Sequence, residues 1–215
     1  MTRTRQYPED SSSWANLPVE LTDDQLVIGG WQVMQAWETP LMDVMAKEVT
    51  AKEGHILEVG FGMGISANHI INYGCDSYTV IEAHPAVAEM ARAWAKQQTV
   101  LCTVIEGPWQ DIVPTISPMA FDGILFDTYP FTESERGQNH FAFIPQVPSL
   151  LCAEGIFVCY SDETTAFRSE HLRLLLDAFD EVRLIKVSDL QPGDDCEYWS
   201  ESHMVVPVGH RPSHH

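Results

Sequence analysis

From residue 55 onward, short apolar runs alternate with amphipathic stretches, and each run stops at a charged or turn-forming residue. Ile56-Leu57-Glu58-Val59 is a β-type run that meets glycines at every second position (Gly60, Gly62, Gly64) and resumes as an apolar-periodic segment through Ile70. That pattern predicts a strand, a tight turn and a helix. Residues 78–82 predict a second strand ending at Glu82, a helix opens at Pro85 and runs to Gln97, and 100–106 predict a third strand. Residues 123–127 are apolar until they stop at Asp127, as expected of a strand buried on both faces. After a polar loop over 131–139, residues 140–151 read as mainly helical, interrupted by Pro145 and Pro148. Residues 155–160 read as a fifth strand, and 168–179 as an amphipathic helix carrying Leu172, Leu174, Leu175 and Phe179. Residues 182–187 and 204–208 complete the set, the latter suited to an antiparallel edge. Seven strands with intervening helices predict an α/β fold, a doubly wound, mostly parallel, Rossmann-like sheet.

The N-terminal stretch follows different rules. Residues 1–25 are polar and rich in Pro and Ser, which predicts an arm in front of a single domain over 26–215. Trp14 is the exception there, an anchor on the body or a cover over a ligand. Val33, Met34 and Trp37, then Leu41, Met42 and Met45, follow helical spacing, so the arm is expected to lead into helix. Thr39 and Pro40 read as N-cap and first helical residue of a restart. Glu38 then lies at a helix junction, where a solvated carboxylate is the ordinary expectation.

Composition narrows the classes. The 215 residues fit one domain with a substantial core, and 12 Lys plus Arg against 31 Asp plus Glu give a formal charge of −19. So acidic a chain repels phosphate backbones and attracts small cations, which disfavours nucleic acid as a partner. The five cysteines are scattered with no C-x-x-C pair, and the nine histidines form no H-E-x-x-H pattern, so no metal is expected. His214 and His215 read as tail. With no signal peptide and no run near the ~20 apolar residues of a membrane helix, a cytoplasmic protein is expected. A homodimer is compatible with the sequence.

The glycine turn is where chemistry begins. Glycines admit positive φ and let a ligand approach the backbone, and the following helix points its unpaired N–H groups into the same crevice. The G-x-G-x-G spacing, preceded by Glu58, differs from the G-x-G-x-x-G of dinucleotide folds. It reads as an S-adenosylmethionine loop, with an NAD site as the alternative. An acid after the second strand, here Glu82, accepts from ribose hydroxyls in such folds. Trp109 offers an aromatic wall for an adenine, and Asp127 stands at the strand end where α/β sheets place ligands.

Five stretches together, W-E-T-P-L-M (37–42), L-E-V-G-F-G-M-G-I (57–65), V-I-E (80–82), G-P-W-Q-D (107–111) and F-D-G-I-L-F-D-T-Y-P (121–130), carry a likeness. The chain resembles the guanidinoacetate N-methyltransferase family, and less closely the related arginine δ-methyltransferases of fungi. The resemblance implies a class I methyltransferase fold, S-adenosylmethionine as cofactor and S-adenosylhomocysteine as product. It places Met34, Met42, the loop Gly60, Phe61, Gly62, Met63, Gly64, Ile65 and Ser66, then Glu82, Ala83, Gly107, Pro108 and Trp109 at the cofactor, together with Glu58 and Asp127. It places Glu38 and Asp127 on a substrate guanidine, with Trp14 covering it and Tyr129 beside it. The family's Gly-Leu-Trp-Glu is here Gly107-Pro108-Trp109-Gln110. Its Asn-Leu-Thr-Ser, whose backbone receives the substrate carboxylate, is here Ser161-Asp162-Glu163-Thr164.

The chemistry follows from the guanidine. A guanidinium has no free lone pair, so a carboxylate must take a proton as the nitrogen is methylated. Two carboxylates grip the planar fork and one accepts the proton; Asp127 is the expected base and Glu38 the second clamp. Asp162 and Glu163 repel a carboxylate and attract an ammonium, which favours N-methylation of arginine, then agmatine, with guanidinoacetate as the alternative. A methyltransferase for another nucleophile, or a non-catalytic cofactor-binding module, is the remoter expectation.

Overall fold

The computed structural model describes residues 10–132, 135, 140–164 and 167–213. The first nine residues, most of the expected loop over 131–139 and His214-His215 lie outside them.

Among the described residues, a seven-stranded sheet forms the body. Its strands are β4 (His55–Val59), β5 (Ser77–Glu82), β6 (Leu101–Glu106), β7 (Phe121–Phe126), β8 (Leu151–Cys159), β9 (Phe179–Ser188) and β10 (His203–Pro212), in the order β6-β5-β4-β7-β8-β10-β9. The first five in chain order run parallel, and β10 is antiparallel to both its neighbours. The β10 position differs from expectation, because it sits inside the sheet and β9 takes the edge. The physical reason lies in the residues. Met204 to Val208 are all buried, as an interior strand requires, whereas β9 exposes much of its length.

Helices cover the sheet. α2 (Thr39–Val49) buries Leu41, Met42, Met45, Ala46 and Val49, a face that follows the 3.6-residue period. It starts at Thr39 with Glu38 as the cap residue, one position earlier than the Thr39-Pro40 reading, and no side chain caps it. α3 (Ile65–Tyr73) and α4 (Pro85–Ala95) follow β4 and β5, with the His84 ring accepting from Ala86 N–H at the start of α4. α5 (Trp109–Ile112), α6 (Val147–Leu150) and α7 (Ser169–Ala178) complete the layers. The sequence runs β4, β5, β6 to one side and β7, β8 to the other. The reversal between β4 and β7 opens a crevice at their C-terminal ends.

The N-terminal region departs most from expectation. Trp14 sits in a short helix, α1 (Ser11–Ala15), capped by Asp10. Beyond it, β1 (Val19–Leu21), β2 (Gln25–Ile28) and β3 (Trp31–Gln35) form a three-stranded antiparallel sheet. The boundary expected after residue 25 therefore falls within a β-hairpin, and Val33 and Met34 lie on a strand instead of a helix. Gly29 and Gly30 explain it: both have positive φ (59° and 83°), which closes a two-residue hairpin with Ile28 opposite Trp31.

Candidate active site

Two cavities meet at the C-terminal end of β7. The first, about 270 Å³, lies over the glycine turn; the second, about 390 Å³, lies beside it. Val33, Asp127, Thr128, Tyr129 and Pro130 line both. Asp127 is set there by its own N–H, which donates to Val59 O at 3.0 Å across the strand pair.

The first cavity gathers Gly60, Gly62, Glu82, Ala83, Gly107 and Trp109, together with Met34 and Trp14. Gly60, Gly62 and Gly64 all have positive φ (93°, 54° and 73°), so the turn takes a course that side-chained residues rarely follow. The Glu82 carboxylate is fixed from both sides, Oε2 accepting Phe61 N–H at 2.9 Å and Oε1 accepting His84 N–H at 2.8 Å. Burial raises its pKa, and the backbone donors act against that rise. An anchored acid facing a largely apolar cavity suits a ligand that joins a vicinal diol to a flat aromatic ring, which is the shape of the adenosine in S-adenosylmethionine.

Other residues expected at the cofactor stand behind this wall. Glu58 is fully buried and lines neither cavity. It accepts from Ser66 Oγ and Tyr78 Oη, so it braces the turn from below, and burial lifts its pKa to about 8. Met42 belongs to the core, and Phe61 packs against Trp94 at 5.6 Å. Met63 donates its N–H to the sulfur of Met34 at 3.4 Å. Met63, Ile65, Ser66 and Pro108 do not line the cavity, whereas Gln110 does. Trp14 stacks on Tyr129 at 5.4 Å and closes the first cavity, not the second, where it was expected over the substrate.

The second cavity holds Glu38, Asp127 and Asp162. Glu38 is 3% exposed, not the solvated helix-end group its sequence position suggested. Its Oε1 accepts Gln35 N–H at 2.9 Å and Tyr198 Oη–H at 2.6 Å. Burial and then the Asp127 charge push the Glu38 pKa up; burial and then Asp162 do the same for Asp127. Asp162 is exposed at a φ of 54°, a left-handed conformation that costs a non-glycine residue energy and is often found at functional sites. Glu163 does not reach this cavity. Its side chain turns back to accept from the backbone N–H and Nε of Arg168, at 3.2 and 2.9 Å.

The sequence reading missed an aromatic rim. Trp31, Tyr160, Tyr198 and Trp199 line the second cavity, with Gln32 and Glu197. Gln32 ties the small sheet to the connection before β10, donating to Asp195 O and accepting Glu197 N–H at 2.8 Å. Tyr160 Oη and Trp199 Nε1 are buried with no hydrogen-bond partner among the described residues, two donors in a cavity rich in acceptors. The available signal was Tyr198-Trp199 in a polar connection, where an aromatic pair has no core to serve.

The protein named protein arginine N-methyltransferase 2 from Emericella nidulans is 38% identical over 151 residues, covering 67% of this chain and 34% of that one. Its namesake from Saccharomyces cerevisiae is 29% identical over 208 residues, covering 88% and 47%. The chain therefore spans less than half the length of these curated relatives. Among solved structures, spermidine synthase from Thermotoga maritima superposes with a TM-score of 0.62 at 14% identity, over 90% of this chain and 72% of that one. N-methyltransferase NodS from Bradyrhizobium japonicum gives 0.60 at 15%, over 82% and 97%; at such identities the likeness is one of fold. The family described as guanidinoacetate N-methyltransferase matches residues 7–211, from before Trp14 into β10, so the chain belongs to that family and carries a class I methyltransferase sheet.

Proposed function

We propose that this chain uses S-adenosylmethionine to N-methylate the guanidine of a small cationic substrate, arginine ahead of agmatine and guanidinoacetate. One observation carries the reading: two carboxylates, the buried Glu38 and the half-buried Asp127, face one cavity, and Asp127 also lines the cavity over the glycine turn. The family and its methyltransferase relatives support the cofactor, with Glu82, Gly60, Gly62 and Trp109 as the residues that hold it. When bound, it supplies an electrophilic methyl group on a sulfonium.

The protein's part is positioning and proton acceptance. Glu38 and Asp127 accept N–H bonds from the planar guanidinium, which fixes the nitrogen's direction and desolvates it. As that nitrogen gains a methyl group it sheds one proton, and Asp127 receives it. The cation's charge offsets the burial that holds both carboxyls toward neutrality. Beyond the guanidine, Asp162 and Glu197 suit an ammonium, while the Tyr160 hydroxyl and the Trp199 N–H suit a carboxylate. Free arginine presents both groups; agmatine lacks the carboxylate and guanidinoacetate the amine.

A second reading, methylation of an arginine within a protein, is favoured by the names of the fungal relatives. The test is kcat/KM for arginine, agmatine, guanidinoacetate and an arginyl peptide side by side. Arginine should lead. Guanidinoacetate or the peptide winning by about tenfold, a difference of about 1.4 kcal/mol, rejects the arginine assignment.

A further inference from the structure

Behind the second cavity lies a cluster that the methyl-transfer reading does not use. His140, Cys159 and His171 are 2%, 0% and 0% exposed, and their ligand atoms all lie within 4.8 Å of one another. They arrive from three separate elements: a turn ahead of α6, the last residue of β8 and the first turn of α7. The two imidazoles meet edge to face at 4.5 Å. Buried ring nitrogens are normally satisfied by a donor or an acceptor. Here His140 Nε2 and both nitrogens of His171 have no hydrogen-bond partner among the described residues. His171 Nδ1 stands 3.5 Å from Glu163 Oε1, a long contact that leaves the ring nitrogen weakly engaged. One ring nitrogen of each imidazole lies within 4.8 Å of the Cys159 sulfur and of the other, a set of three metal-capable atoms held together in the core.

We propose that His140, Cys159 and His171 bind a divalent transition cation, Zn2+ by donor type. Imidazole nitrogens and a thiolate are zinc donors, and three protein ligands with water in the fourth position make a tetrahedral zinc site. Ligand atoms around tetrahedral zinc stand about 3.5 Å apart, given bonds of about 2.0–2.3 Å, so the cluster closes by side-chain shifts of about 1 Å. Cys159 enters as thiolate: its S–H bond breaks, the proton leaves to solvent and the sulfur bonds the ion. The ion would tie the end of β8 to α7 and the His140 turn. Asp162 follows the proposed ligand Cys159 by three residues, and His140 itself lines the second cavity, so the occupied site acts as a clamp on that cavity's wall. The spacing of 18 and 11 residues between the ligands matches no short zinc motif, which is why the sequence alone predicted none.

The experiment is titration of metal-free, full-length protein with Co2+ and then Zn2+, repeated on Cys159→Ala and His171→Gln and on a His214→Ala, His215→Ala variant that removes the tail histidines. Expected are one equivalent of Co2+ with a thiolate-to-metal charge-transfer band, its displacement by Zn2+, release of a proton and a raised melting temperature. The tail variant should behave as wild type. Cys159→Ala should lose the band, and His171→Gln should bind Zn2+ at least about tenfold more weakly, both being checked for folding by far-UV circular dichroism and S-adenosylhomocysteine binding. The wild-type spectrum decides even if a variant fails to fold. Absence of a stoichiometric thiolate band, or its survival in Cys159→Ala, overturns the site and leaves the histidines as rings packed against Phe141 and Phe167.

Discussion

Tyr198 donates a 2.6 Å hydrogen bond to Glu38 Oε1, joining residues 160 positions apart in the chain. With the Gln35 N–H it favours the carboxylate form against burial and the Asp127 charge. Removing the hydroxyl pushes Glu38 further toward neutral and loosens its aim. Tyr198→Phe is expected to raise KM for the guanidine about tenfold with a smaller change in kcat, a bond to a charged group being worth about 1.5–3 kcal/mol. Steady-state kinetics check it; a loss confined to kcat removes Tyr198 from substrate binding.

The two carboxylates should separate by cavity. Asp127→Asn and Glu38→Gln keep shape and abolish proton acceptance, so each is expected to lower kcat/KM by about 10² or more. Glu38 lines the second cavity alone, so calorimetry of Glu38→Gln should show unchanged S-adenosylhomocysteine affinity. Near-normal turnover in both variants would falsify the guanidine clamp.

Glu82 gives the converse case. Glu82→Gln keeps the side chain's length but removes the charge that Phe61 and His84 N–H bonds support. Cofactor affinity is expected to fall about tenfold or more, at about 1.5–3 kcal/mol per charge-assisted bond. An unaltered dissociation constant assigns Glu82 to turn structure only.

Activity and stability should respond to pH in opposite directions. In the free protein burial and neighbouring charge raise Glu38 to about 8 and Asp127 to about 7, and a guanidinium needs both ionised. The kcat/KM profile is therefore expected to climb through pH 7 to 8 and then level off. These carboxyls, with Glu58 at about 8, hold protons in the folded state that the unfolded chain has released. Their stabilising contribution is complete below the ordinary values of 3.8 and 4.5 and is lost as pH rises through about 7 to 8. His84, His140, His171 and His210, depressed from 6.5 chiefly by burial, act below that value, so the clean window lies above it. The melting temperature of the ligand-free protein should fall between about pH 6.5 and 8.5; a rise there contradicts the burial argument.

What the sequence disclosed is the part built from consecutive residues. Apolar runs ending at Glu82 and Asp127, and glycines at 60, 62 and 64, mark the parallel strands and the turn because each signal is local. The Gly29-Gly30 hairpin was equally local, but helical spacing from Val33 to Met45 masked it, since apolar residues on a twisted strand and on the next helix can share a period. Tyr198 and Trp199 were hidden for a different reason. Their role depends on β10 inserting beside β8, which brings a late connection next to the small N-terminal sheet. The outward turn of Asp162 and the inward turn of Glu163 follow from one positive φ and from Arg168, neither of which a residue pattern encodes.

Residues 127–130 form a party wall between two chambers, and Val33 completes it. On the proposed assignment, reshaping that wall to admit a different guanidine would change the neighbouring chamber as well, so gains in selectivity there would carry a penalty in cofactor retention. Trp31, Gln32, Tyr198 and Trp199 line only the second cavity, which makes them the positions where selection, or a designer, can alter substrate choice one side chain at a time.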